Sequence, residues 1–75
     1  MVYEMLREMI VESLGCDEAS VALSAELRDD LGLSDGQITE ILEAMASELG
    51  FRSEDIDPDG VYSVKDLVRA ISVLL

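Results

Sequence analysis

Two stretches of this chain carry side chains whose spacing could do chemistry. In the first, Ser34, Asp35 and Gln37 follow a Leu31-Gly32-Leu33 turn, so a hydroxyl and a carboxylate stand side by side where a helix should start. A serine there has two uses: its oxygen can accept a backbone N–H as a helix cap, or it can be esterified as a covalent attachment point. In the second, Asp55, Asp57 and Asp59 alternate, Gly60 permits a sharp turn, Val61 offers a backbone carbonyl, and Asp66 ends the run. Oxygens so spaced can converge on a hard cation, and the run matches the EF-hand calcium-loop pattern, with Asp66 where a longer glutamate is usual. No second loop accompanies it, because Leu31 and Leu33 stand where acids should precede Gly36. The plainer reading of Asp55 to Asp66 is a solvated acidic loop.

Other chemistry is excluded. There is no histidine, which removes the commonest general base and zinc ligand. Cys16 is the sole cysteine, so neither a disulfide framework nor a cysteine metal cluster is available, and it reads as a small packed or exposed thiol. No serine stands in an evident pair with a base, and Asp29-Asp30 reads as turn and helix-start charge rather than an acid/base couple. The chain is expected to have no catalytic activity of its own. Seventeen acids against five bases give a net charge of −12, which argues against nucleic acid or anionic membrane as partners and for basic protein surfaces. Solubility alone is the plainer use of that charge. The first residues, MVYEMLREMIVESLG, interleave acids with apolar side chains unlike a signal peptide, and no apolar run reaches membrane-spanning length, so a reducing cytoplasm is the expected setting.

The elements that position these residues follow from the apolar spacing. With 75 residues, 49% of them apolar, the chain should form one small domain over 1–75 with an aliphatic core, since Tyr3, Phe51 and Tyr62 are the only aromatics. Val2, Leu6, Met9, Ile10 and Leu14 mark a first amphipathic helix, with Glu4, Arg7, Glu8 and Glu12 on its wet side and Gly15 at its end. Ser34 and Gln37 have the capping-box spacing for a second helix, which buries Ile38, Ile41, Leu42, Met45 and Leu49 and stops at Gly50. Asp29, Asp30, Asp35, Glu40, Glu43 and Glu48 run through this region with no base among them. Residues 16–30 read as a long packed loop anchored by Val21, Leu23 and Leu27, with room for a short helix from Ser24 to Asp30. Between Arg52 and Gly60 at most a turn of helix fits. Ser63 and Asp66 then open a last helix with Val64, Leu67, Val68, Ile71 and Leu74 on its buried face. The expected fold is an all-α bundle of three main helices with a short or reduced fourth element.

Leu27-Arg28-Asp29-Asp30-Leu31-Gly32-Leu33, followed by a helix ending in Glu48-Leu49-Gly50-Phe51, resembles the centre of an acyl carrier protein. The likeness extends to Leu14-Gly15 at the end of the first helix and to Tyr62-Ser63-Val64-Lys65-Asp66-Leu67-Val68 at the start of the last. The resemblance implies a four-helix bundle of the kind used in fatty acid biosynthesis. Basic patches on acyl- or peptidyl-transfer enzymes read its second helix, here through Asp29, Asp30, Asp35, Glu40, Glu43 and Glu48. A monomer is expected. It also implies 4′-phosphopantetheine, a thiol-bearing arm held on the serine of an Asp-Ser-Leu motif. This chain has Ser34-Asp35-Gly36 at that place, so a gapless match sets Asp35 where the family has its serine. A carboxylate would give an acyl phosphate that hydrolyses, which leaves Ser34 as the only hydroxyl near the position. Ser34 therefore has two readings, cap or attachment point: as attachment point it implies a protein that carries or presents acyl intermediates to partner enzymes, as cap alone an interaction domain of this type without the prosthetic group. Thr39 and Glu43 stand where the family often presents apolar residues to partners, and the segment Asp57 to Tyr62, matching the family's third helix, is shortened around Pro58 and Gly60.

Overall fold

The apolar stripes fold as helices in the computed structural model, which describes residues 1–75. They are α1 (Val2–Leu14), α2 (Asp35–Leu49) and α3 (Val64–Val73). Single 3-10 turns lie at Glu18–Ser20, Ser53–Asp55 and Pro58–Gly60, and the only β pairing is an isolated antiparallel bridge between Glu26 and Ser63. The expected fourth helix is thus reduced to a 3-10 turn, with Pro58 at its start, where a missing N–H costs nothing.

Each helix buries the centre of the stripe its spacing defines. Leu6 and Ile10 of α1, Ile38, Ile41, Leu42 and Met45 of α2, and Val64, Leu67 and Ile71 of α3 point inward. α1 packs against both α2 and α3. Val21, Ala25, Leu27, Leu33, Ile56 and Val61 from the connections complete a core of fifteen residues that contains no polar side chain. The core is wholly aliphatic apart from the Met45 thioether, and Tyr3 borders it with its hydroxyl donating to the Val21 carbonyl at 2.6 Å.

The long connection departs from expectation. No helix forms from Ser24 to Asp30; the chain instead makes turns, and its backbone pairs with the entry to α3. Leu27 N–H donates to the Tyr62 carbonyl at 2.7 Å, Val64 N–H to Ala25 at 2.9 Å and Lys65 N–H to Leu23 at 2.9 Å. These bonds use the groups a local helix would need, and the tertiary pairing wins because Ala25 and Leu27 enter the core with it. Leu23, expected as an anchor, is 45% exposed, and Ala25 takes the inward place. Leu74 is also exposed, since α3 stops at Val73. Arg7, placed on the wet side of α1, lies half-buried over the Tyr3 ring at 5.4 Å from its centroid.

Immediately before α2, Asp30 and Leu31 N–H donate to the Glu26 carbonyl at 3.1 and 3.0 Å in one helical turn. Gly32 closes it at φ 72°, a left-handed conformation that a side chain would strain. Leu33 then drops into the core and delivers Ser34 to the start of α2. No helix is long and apolar enough to cross a membrane.

Candidate functional site

The start of α2 is built by local bonds. Ser34 has an extended backbone (φ −80°, ψ 164°), and its Oγ accepts Gln37 N–H at 3.1 Å. Ser34 N–H in turn donates to Gln37 Oε1 at 2.9 Å, so the box is reciprocal, as its spacing predicts. Asp35 occupies the first helical position, where the helix dipole favours an anion. Gly50 ends the helix at φ 83°, its N–H donating to Ala46.

Arg28 holds this start in place. Its Nε donates to Asp35 Oδ1 at 2.8 Å, its Nη1 to the Val61 carbonyl at 3.0 Å and its Nη2 to the Pro58 carbonyl at 2.9 Å. One half-buried guanidinium therefore joins the turn before α2, the first residue of α2 and the 3-10 turn that replaces the fourth helix. The bond to Asp35 pushes the Arg28 pKa up, against a smaller opposing effect of burial. Arg28 escaped the sequence reading because its carbonyl partners lie 30 and 33 residues away. The one available signal was a lone base beside the acids Asp29 and Asp30.

A shallow cleft of about 400 Å³ opens beside this junction, lined by Glu26, Arg28, Asp29, Asp35, Asp59 and Tyr62. Its carboxylates crowd one another. A hydrogen bond with Asp29, followed by the charge of the same residue, raises the Glu26 pKa above the ordinary carboxylate value.

Asp29, Asp30, Asp35, Glu40, Glu43 and Glu48 are all exposed. Asp30 is partly engaged within its own turn, accepting Glu26 N–H at 2.8 Å, and Asp35 is paired with Arg28. Glu40, Glu43 and Glu48 make no ion pair, and α2 has no lysine or arginine, so its outer arc is uniformly anionic. Thr39 lies exposed on the same arc.

Several oxygens of the run Asp55 to Asp66, expected as a calcium loop, make bonds within the protein. The Val61 carbonyl faces Arg28, and Asp57 Oδ1 accepts Asp59 N–H at 3.0 Å inside the turn. Asp66 Oδ2 accepts Ser63 N–H at 3.1 Å and Tyr62 N–H at 3.2 Å as the cap of α3. Backbone bonds from Ser63 and then Tyr62 hold the Asp66 carboxyl below its ordinary pKa. Asp55 and Asp59 are exposed on two separate turns, and no three acidic or sulfur side chains are gathered where they could hold a metal ion.

The chain is a small all-α bundle with an acidic, capped second helix and an aliphatic interior. No family model matches the chain. An acyl carrier protein from Solidesulfovibrio magneticus is 37% identical over 70 residues, which span 93% of this chain and 90% of that protein. The chain belongs to the acyl carrier protein family.

That family typically carries 4′-phosphopantetheine. The gapless match to the family motif sets Asp35 at that position; its carboxylate is paired with Arg28, while the neighbouring Ser34 oxygen serves the cap. A carboxylate cannot form the stable phosphodiester that holds the arm. Asp35 does not fit the group.

Proposed function

We propose that this chain is a docking protein of the acyl carrier type, which presents the anionic outer arc of α2 to basic surfaces on acyl- or peptidyl-transfer enzymes. One observation supports this above the rest: Glu40, Glu43 and Glu48 stand exposed and unpaired while Ile38, Ile41, Leu42 and Met45 are buried behind them. Asp29, Asp30 and Asp35 extend the same charge around the start of the helix. Such a surface steers encounter with a cationic partner and fixes its orientation, and the attraction is screened by salt. With Thr39 and Glu43 in place of apolar contacts, charge rather than apolar burial carries the interaction. The protein acts as a monomer in the cytoplasm, with neither nucleic acid nor membrane as a partner.

The test is binding of the full chain to a purified acyl-carrier-dependent acyltransferase, followed by calorimetry at low and high salt. Wild type should bind more weakly as salt rises, and the charge-reversed pair Glu40→Lys, Glu43→Lys should bind far more weakly at low salt. Both positions are exposed, so the fold is retained. Binding that ignored both salt and charge reversal would reject the docking face.

A second reading places 4′-phosphopantetheine on Ser34. What supports it is the exposure of the Ser34 hydroxyl at the positive end of α2, where a phosphodiester would meet unpaired backbone N–H groups.

A further inference from the structure

We infer that Asp35, locked by Arg28, is the residue that excludes this chain from phosphopantetheinyl transfer, so that it docks as an armless member of its family. The inference deepens the docking reading and rests on it for the identity of the surface. Three observations carry it.

Asp35 is not a loosely placed carboxylate at the motif position. Its Oδ1 accepts Arg28 Nε at 2.8 Å, and the other guanidinium nitrogens are fixed on the Val61 and Pro58 carbonyls. The acid is therefore held by a donor that is itself tied down at two further points, a charge-assisted contact on a rigid mount.

Ser34 is misplaced as a substitute. It lies one residue earlier, outside the helix, and consecutive Cα atoms are about 3.8 Å apart. A displacement of about 1 Å can cost an enzyme about a hundredfold in rate. The Ser34 oxygen also accepts the Gln37 N–H, which draws electron density from the atom that would have to attack.

Space does not account for the altered motif. A Cβ added at Gly36 would meet only Ser34 Oγ, at 3.9 Å, an ordinary contact. The first turn has room for a β-carbon at this position, so the exclusion is assigned to the order of Ser34 and Asp35.

That order can be reversed without changing composition or charge. In the exchange Ser34→Asp, Asp35→Ser the aspartate is as good an N-cap as the serine it replaces, so α2 keeps its start and the docking acids keep their number. Wild type, the exchange, and Ser34→Ala are incubated with coenzyme A, magnesium and a broad-specificity phosphopantetheinyl transferase, and their intact masses measured. In a modified chain the serine oxygen bonds to the pantetheine-side phosphorus of coenzyme A, the bond from that phosphorus to the oxygen of the nucleotide breaks, 3′,5′-ADP leaves, and the hydroxyl proton is released. Wild type and Ser34→Ala should gain nothing, and the exchange should gain one phosphopantetheinyl group at a rate at least about a hundredfold above any wild-type background. A wild type that gains the group, with the gain lost in Ser34→Ala, overturns the inference. An exchange variant that stays unmodified overturns the assignment to Asp35. The same samples are passed to the acyltransferase binding assay, so that failure to dock is read separately from failure to be modified.

Discussion

Ser34→Ala tests whether the hydroxyl at the head of α2 is structural. The substitution removes the acceptor of Gln37 N–H but leaves Ser34's own N–H bonded to the Gln37 side chain, so half of the reciprocal box survives. Loss of an N-cap oxygen costs about 1 kcal/mol, within a range of roughly 0.5–2. Unfolding entropy near 2.1 cal/mol/K per residue makes that loss about 6 °C of melting temperature for a chain of 75 residues. Ser34→Asp should lie within a few tenths of a kcal/mol of wild type, because the carboxylate caps and also complements the dipole. The assay is thermal and urea unfolding followed by far-UV circular dichroism, since the chain has no tryptophan. Gln37→Ala should cost less than Ser34→Ala, and the double variant less than their sum, because the two bonds share one turn. Ser63→Ala, in the matching box of α3, is the internal control. If Ser34→Ala melts within about 1 °C of wild type while Ser63→Ala falls by several degrees, the cap at α2 contributes nothing and the argument for a structurally committed hydroxyl fails.

Four other outcomes follow from the same contacts. Asp66 is held below its ordinary value of 3.8, so its contribution is fully present above that value and lost as pH falls through the lowered one; Asp66→Asn should lower the melting temperature at neutral pH, with the gap closing in acid. Glu26 has the opposite sign, its charge being disfavoured beside Asp29, so Glu26→Gln should raise the melting temperature at neutral pH and the gain should vanish on acidification. Met45 is fully buried on α2, and Met45→Ala should cost roughly 2–5 kcal/mol, read as a shifted urea midpoint. Calcium at millimolar concentration should produce no saturable NMR shift confined to residues 55–66, because the Val61 and Asp66 oxygens are already bonded elsewhere; a site-specific isotherm there would contradict the fold of that loop.

What could be read from the sequence was what is encoded locally. Ser34 with Gln37 and Ser63 with Asp66 are boxes closed within four residues, and each formed as its spacing indicates. The inward stripes of α1 and α2 obey the helical period, and the reduced fourth element follows from Pro58 and Gly60. At Ser24 to Asp30, Leu23 and Arg28 the deciding partners are distant in the chain. Ser24 to Asp30 has turn-forming residues that fit a short helix equally well, and only the arrival of residues 62–65 decides against it. Leu23 loses its inward place to Ala25 because that pairing sets which residues face the core, whatever their size. The calcium pattern was a true match in residue type, but the oxygens of Val61 and Asp66 answer to Arg28 and to α3. At the candidate site, the cap and the acids were legible, whereas the guanidinium that fixes Asp35 was not.

The seam between residues 23–27 and 62–65 also bears on how the protein is made. Ribosomes deliver chain from the N-terminus, and here Leu27 N–H and the carbonyls of Leu23 and Ala25 lack their seam partners until the second half of that seam has emerged. Until then Val21, Ala25 and Leu27 are without their cover, and a nascent chain stalled before Val61 would expose them to chaperones and proteases. Closure of this side of the core therefore waits for residues 61–65, and until they arrive the oily side chains that later disappear from view stay open to water.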